Sequence, residues 1–209
     1  WKFTLREGVK FHDGTDFNAE SVKNTLDQAT GSAAPPRVLN GVTFTTEATG
    51  DYEITITTES PDPLLLNRLA SPQLSILAAS AYLDDGTIDP IKTATGPFML
   101  TETDMTTVAT VDRFDDYWGD VAIAAGIDVS FVPDGTARAA SLRAGTADVA
   151  ETIPVSQIPL LDEEMINEVY MPRTSYLALN TETGAFADPA VRAAARAARI
   201  AHRRRTWVL

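Results

Sequence analysis

WKFTLREGVKFHDGTDF, residues 1–17, opens the chain in the middle of a pattern. Trp1, Phe3 and Leu5 alternate with Lys2, Thr4 and Arg6, and a period of two marks a half-buried β-strand. Such a strand calls for partners on both edges and a covered face. No cap or leader precedes Trp1, so the expectation is a piece of a longer chain. Glu7-Gly8 supplies a turn, Val9–Phe11 runs extended again, and His12-Asp13-Gly14-Thr15 turns once more, because Asp-Gly readily takes the positive φ of a tight turn. Asn18 then suits the N-cap of a helix in which Ala19, Val22, Leu26 and Ala29 share one side, ended by GSAAPPR at 31–37.

Outward from there, VTFTT (42–46) and DYEITITT (51–58) read as strands, with Tyr52, Ile54 and Ile56 on one face. PDPLLLNRLAS (61–71) reads as a short helix entered through prolines, and residues 75–90 are ambiguous. A second block starts near Thr93. GPFMLTE, TTVATVDR and GIDVSFV are three strand candidates; PDGTARAASLRAG (133–145) is a helix with Asp134 as cap and Gly145 as terminator. ADVAE, NEVYM and SYLALN read as further strands, IPVSQIPLLDE as a short helix, and Asp188-Pro189 as the start of another. Strands and helices alternating through this block imply an α/β layered sheet.

Composition narrows the function. Against 29 acidic residues stand 17 basic ones, a formal charge of −12, and that field repels phosphate backbones and anionic lipid. Nucleic acid is therefore not an expected partner. The basic residues gather instead in RAAARAARIAHRRR, 192–205. With 209 residues, 44% of them hydrophobic, the chain can bury one sizeable core or form two lobes. The absence of cysteine removes disulfides, thiolate metal sites and Cys nucleophiles, and fits an exported protein. No apolar run approaches the ~20 residues that cross a bilayer.

Chemistry-bearing patterns are missing too. The two histidines, His12 in a tight turn and His202 in the basic tail, stand at no metal-ligand spacing, and His12 reads as a local hydrogen-bonding residue. There is no nucleophile elbow, phosphate loop or dinucleotide fingerprint. Asp115, Asp116 and Asp120 flank Tyr117-Trp118-Gly119 without the alternate-position spacing of a calcium loop, so they read as solvated loop acids. Trp1, Phe3, Phe11, Trp118 and Phe131 read as packing residues at strand ends and turns. No catalytic residue, metal ligand or cofactor is expected, and the chain does not read as an enzyme.

Several stretches, taken in order, resemble one family: the extracytoplasmic solute-binding proteins of the peptide/nickel class, family 5, which feed ABC importers. They are WKFTLREGVKFHDGTDFNAESVKNTL, TATGPFML, RFDDYWGD, VPDGTARAASLRAGTADV, LALNT and FADPAVRAAARAA. Each is weak alone; their shared order from residue 1 to about residue 198 is specific.

The resemblance implies an α/β fragment of a type II periplasmic-binding-protein-like fold. It would hold an accessory domain of lobe I (1–93), the central part of ligand-binding lobe I (94–180) and the start of a hinge or lobe II helix with an atypical basic tail (181–209), lobe II itself being absent. It implies capture of oligopeptides or a related small solute by a hinged two-lobed clamp that docks on ABC permease subunits, outside the cytoplasm, in the periplasm or anchored at the cell surface. Alternatives are a nickel-chelate or other non-peptide binder of the same family, and a self-associating module without a transport role. Carried over one residue at a time, the segments bordering the cleft correspond to Thr152 and Ile153, and to Arg173, Ser175 and Tyr176. The fragment is expected to bind solute poorly or not at all and to self-associate through exposed edges. Two departures stand out. Ala94-Thr95-Gly96-Pro97 replaces the family's Gly-Thr-Gly-Pro, which is expected to alter the crossing between blocks, and RIAHRRRTWVL (199–209) departs from the family pattern, as a frameshift or appended stretch would.

Overall fold

A computed structural model describes residues 1–169 and 178–206 of the chain, with side chains to residue 198. It divides into two compact units, Trp1–Gln157 and Ile158–Leu209.

In the first unit, β1 (Lys2–Thr4), β2 (Phe44–Gly50) and β3 (Glu53–Thr58) form an antiparallel sheet in the order β1-β3-β2. The alternation in DYEITITT turns Ile54 and Ile56 inward, and Phe44 joins them from β2. α1 (Ala19–Gly31) starts where Asn18 makes a reciprocal capping box with Ser21: the Ser21 N–H donates to the Asn18 side chain and the Asn18 N–H to the Ser21 hydroxyl. Its Val22 and Leu26 lie on the sheet, closing a core with Leu39, Leu65 and Leu74. Each such side chain, fully buried, contributes about 1.5–3 kcal/mol. The short α2 (Leu65–Leu69) supplies Leu65, and its Arg68 pairs with Asp62 at 2.7 Å while donating to the Val38 carbonyl.

The opening strand departs from expectation in one respect. β1 has a single partner, β3, and lies at the sheet edge among the described residues. Its first residue is nonetheless paired: the Trp1 carbonyl accepts from the Ile56 N–H at 2.8 Å. Phe3 of β1 packs against the same core cluster that α1 closes.

β4 (Phe98–Thr103), β5 (Val108–Arg113) and β6 (Gly126–Ser130) form a second antiparallel sheet, in the order β4-β5-β6. The three strands coincide with the stretches GPFMLTE, TTVATVDR and GIDVSFV, β4 running on to Thr103. The β4–β5 turn is built on Asp104, whose carboxylate accepts the N–H groups of Thr106, Thr107 and Val108 and the Thr107 hydroxyl. These bonds, the Thr107 hydroxyl first among them, hold its carboxyl well below the usual carboxylate range. Leu100, Val111 and Ile127 form one cross-strand row, with Ala109 and Val129 paired beside it. α3 (Gly135–Arg143) follows, capped by Asp134, which accepts from the Ala137 N–H at 2.7 Å, and ends at Gly145 with φ 68°. The strand expected at ADVAE does not form; residues 147–151 are irregular.

The segment 94–97 that joins the two sheets is held by three successive carbonyls. Ala94 accepts from the His12 N–H at 2.8 Å, Thr95 from the Trp118 indole N–H at 3.1 Å, and Gly96 from the His12 ring at 2.8 Å. Trp118 in turn lies under the Arg6 guanidinium, 4.5 Å from the ring centre. Two sequence expectations change here. His12 does hydrogen-bond, but its ring partner is remote rather than local. And Ala94 is not the strained position: Lys92, two residues earlier, takes the positive φ, 56°.

In the second unit, 3₁₀ turns at Ile158–Leu160, Glu163–Met165 and Ala185–Ala187 precede α4 (Pro189–Thr206). Only one such turn forms where IPVSQIPLLDE predicts a short helix. Pro189 occupies the first helical position, Asp188 accepts from the Ala190 N–H at 2.7 Å, and Arg192 ties the helix to the carbonyls of Phe186 and Ala187. Among the described residues no helix is long and apolar enough to cross a membrane.

Candidate solute-binding segment

Of the five residues the sequence singles out, Thr152 and Ile153 lie among the described residues; Arg173, Ser175 and Tyr176 fall outside them. Thr152 is exposed, Ile153 and Pro154 half-buried. The backbone turns sharply at Thr152, with φ 55°. A β-branched residue is a genuine outlier in that region, at a cost of about 1–3 kcal/mol, and persists only where its surroundings over-determine it.

Those surroundings come from α3. Arg138, one turn into the helix, donates from Nε to the Glu151 carbonyl at 3.0 Å and from Nη2 to the Thr152 carbonyl at 2.7 Å. Its Nη1 donates to the carbonyls of Val132 at 2.6 Å and Pro133 at 3.0 Å. Pro154 completes the arrangement by lying against the helix start: a Cβ placed on Gly135 would meet its ring carbons at 2.4 and 2.7 Å. Sequence reasoning missed Arg138 because its partners are all main-chain carbonyls, which carry no residue-type signature. The Asp134 cap was the only signal near it.

Elsewhere, a cavity of about 350 Å³ opens beside the N-terminus of α1, lined by Asn18, Glu20, Ala48, Thr49, Gly50 and Asp51. Thr152 and Ile153, the two site residues among those described, do not border it. No cluster of His, Asp and Glu able to hold a metal occurs among the described residues. Of the loop acids at 115–120, Asp116 and Asp120 are exposed, whereas Asp115, also exposed, pairs with Arg113 at 2.7 Å.

The family model of bacterial extracellular solute-binding proteins, family 5 (middle), matches residues 1–198. The glutathione-binding protein GsiB of Escherichia coli K12 is 34% identical over 199 residues, an overlap of 91% of this chain and 38% of GsiB. The nickel ABC transporter protein of Bacillus halodurans superposes with a TM-score of 0.67 at 30% identity, over 77% of this chain and 32% of that one. NikA of Brucella suis, crystallised with Fe(III)-EDTA, gives 0.61 at 33% identity, over 69% and 30%. The chain thus spans well under half the length of the relatives it matches, and the mixed α/β fold corresponds to part of theirs. Solute-binding proteins make up this family. The chain belongs to the bacterial extracellular solute-binding proteins of family 5.

Proposed function

We propose that the protein serves as substrate-binding component of an ABC importer, taking up a short peptide or related small solute outside the cytoplasm and delivering it to permease subunits. The observation that carries this reading is the family match across residues 1–198, which includes the constrained Thr152–Pro154 bend. In this reading 1–93 is an accessory domain and 94–180 the central part of a ligand-binding lobe. Thr152, Ile153, Arg173, Ser175 and Tyr176 border the solute, and a second lobe supplies the other half of the grip. A solute then favours the closed clamp only through contacts that are better there, with no bond broken.

Glutathione, a modified tripeptide, is the first solute to test, since GsiB bears it in its name. Nickel chelates are the second, because nickel-protein structures are among those this chain resembles. Calorimetric titration with reduced glutathione, a dipeptide and a nickel–histidine chelate tests both. Saturable binding of one of them supports the reading. Failure of all three, both in this chain and in a GsiB chimera that carries residues 1–198 in place of its own matching segment, counts against solute capture by these residues.

Self-association is a further part of the reading. Ile127, Val129 and Phe131 on and beside β6 are 45, 36 and 50% exposed, and no strand pairs with the outer edge of β6 among the described residues. An apolar edge of that kind recruits other strands. Sedimentation velocity tests it: concentration-dependent oligomers support it, a monomer at every concentration overturns it.

A further inference from the structure

The Thr152 bend and the Arg138 guanidinium belong to one device. A guanidinium is a rigid planar fork, and here its arms reach two separate pieces of chain: the Val132–Pro133 entry to α3 on one side, Glu151–Thr152 on the other. Among the described residues Arg138 forms no ion pair; four main-chain carbonyls accept from its guanidinium. Nothing in the residue preferences of Thr favours a φ of 55°, and a threonine released from the fork relaxes toward extended backbone. The Gly135–Pro154 approach adds a second constraint, leaving no room between the bend and the first turn of α3.

We propose that Arg138 is a positioning residue: through its fork it holds Thr152 in the bend, and thereby fixes how Thr152 and Ile153 are presented to a solute. The second half rests on the proposed role of these two residues beside the solute; the first half stands on the geometry alone. Arg138 touches no solute itself. A lysine replaces it only in part, because a single ammonium group cannot span four carbonyls in two segments.

Glutamate-specific proteolysis reads the bend directly, since Glu151–Thr152 is an exposed bond that has to open locally to be cut. Cleavage after Glu151 is measured relative to cleavage after Glu59 in the intact 209-residue chain. Arg138→Gln is expected to accelerate the Glu151 cut by about tenfold to a hundredfold, and Arg138→Lys by less, as charge-assisted hydrogen bonds are lost. In the Thr152→Gly background the same Arg138→Gln change is expected to have an effect below about threefold, because glycine takes a positive φ without help. That rescue separates the clamp from general support of α3, which a glycine at 152 would not restore. Unchanged cleavage in Arg138→Gln, or an equal acceleration in both backgrounds, overturns the proposal. Circular dichroism confirms folding; if Arg138→Gln is unfolded, Arg138→Lys carries the same cycle. Glutathione titration of these proteins separates the two halves. A weakening of about tenfold that follows the cleavage cycle supports presentation to solute, whereas a coupled cycle with unchanged affinity overturns that half and leaves the clamp in place.

Discussion

His12 and Gly96 lie 84 residues apart in sequence, and the His12 ring N–H donates to the Gly96 carbonyl at 2.8 Å. The bond fixes the tautomer, with the proton on Nε2. The same histidine gives its main-chain N–H to Ala94 and presents its ring edge-to-face to Phe114, 4.8 Å between centres. A tight turn in the first block thus becomes a bolt through the crossing to the second sheet.

His12→Ala is therefore expected to destabilise the first unit by about 2–4 kcal/mol, combining a lost buried hydrogen bond with lost aromatic packing. Urea unfolding followed by tryptophan fluorescence checks it, because Trp118 is anchored to the adjoining Thr95 carbonyl. A loss below about 0.5 kcal/mol, the range of an ordinary surface substitution, would remove His12 from this role.

Thr46 offers the opposite sign. Its hydroxyl is buried in the first sheet without a hydrogen-bond partner. Thr46→Val keeps the shape and removes the unsatisfied group, so the protein should gain about 1 kcal/mol in denaturant unfolding. A loss of stability would mean that the hydroxyl finds a partner in solution.

Gly135→Ala drives a methyl group into the Pro154 ring, and overpacking of this kind costs about 1–3 kcal/mol. Pro154→Ala removes the obstructing ring and should recover most of that loss in the double variant. Thermal melts of the four proteins give the coupling; simple additivity would show that the ring is not the obstacle.

Acid should weaken the fold through two turn carboxylates. Burial pushes the Asp13 carboxyl up, but the hydroxyls of Ser80 and Thr15 and the Thr15 N–H outweigh it and hold the group below its ordinary 3.8. Asp104 is lowered further by Thr107 and the neighbouring amides. A depressed carboxyl stabilises the folded state above its unfolded pKa, and the contribution disappears as pH falls through the lower folded value. Stability should thus be level near neutrality and decline below about pH 4–5. Asp104→Asn should lower stability at pH 7 and flatten the acid limb; an unchanged limb would locate the acid sensitivity elsewhere.

Local pattern foretold much of this molecule. The strand readings at 1–5, 42–46 and 51–58 and at GPFMLTE, TTVATVDR and GIDVSFV mark β1–β6, although β2 runs on to Gly50 and β4 to Thr103, and Asn18, Asp134 and Pro189 mark three helix starts, because these signals act within a few residues of chain. The order of family-like stretches likewise led to the family. ADVAE shows the reach of that logic: a short apolar alternation becomes a strand only when a neighbouring ladder accepts it.

What only the tertiary structure decided are the relationships carried by main-chain carbonyls. His12 on Gly96, Trp118 on Thr95 and Arg138 on Thr152 each join a recognisable side chain to a partner that every residue possesses. Thr152 was picked out by likeness to relatives, while its positive φ and the fork that holds it came from packing. Sequence encodes side-chain chemistry and short-range periodicity; the pairing of a guanidinium or imidazole with a distant carbonyl is set by how the chain is folded, and no residue alphabet records it.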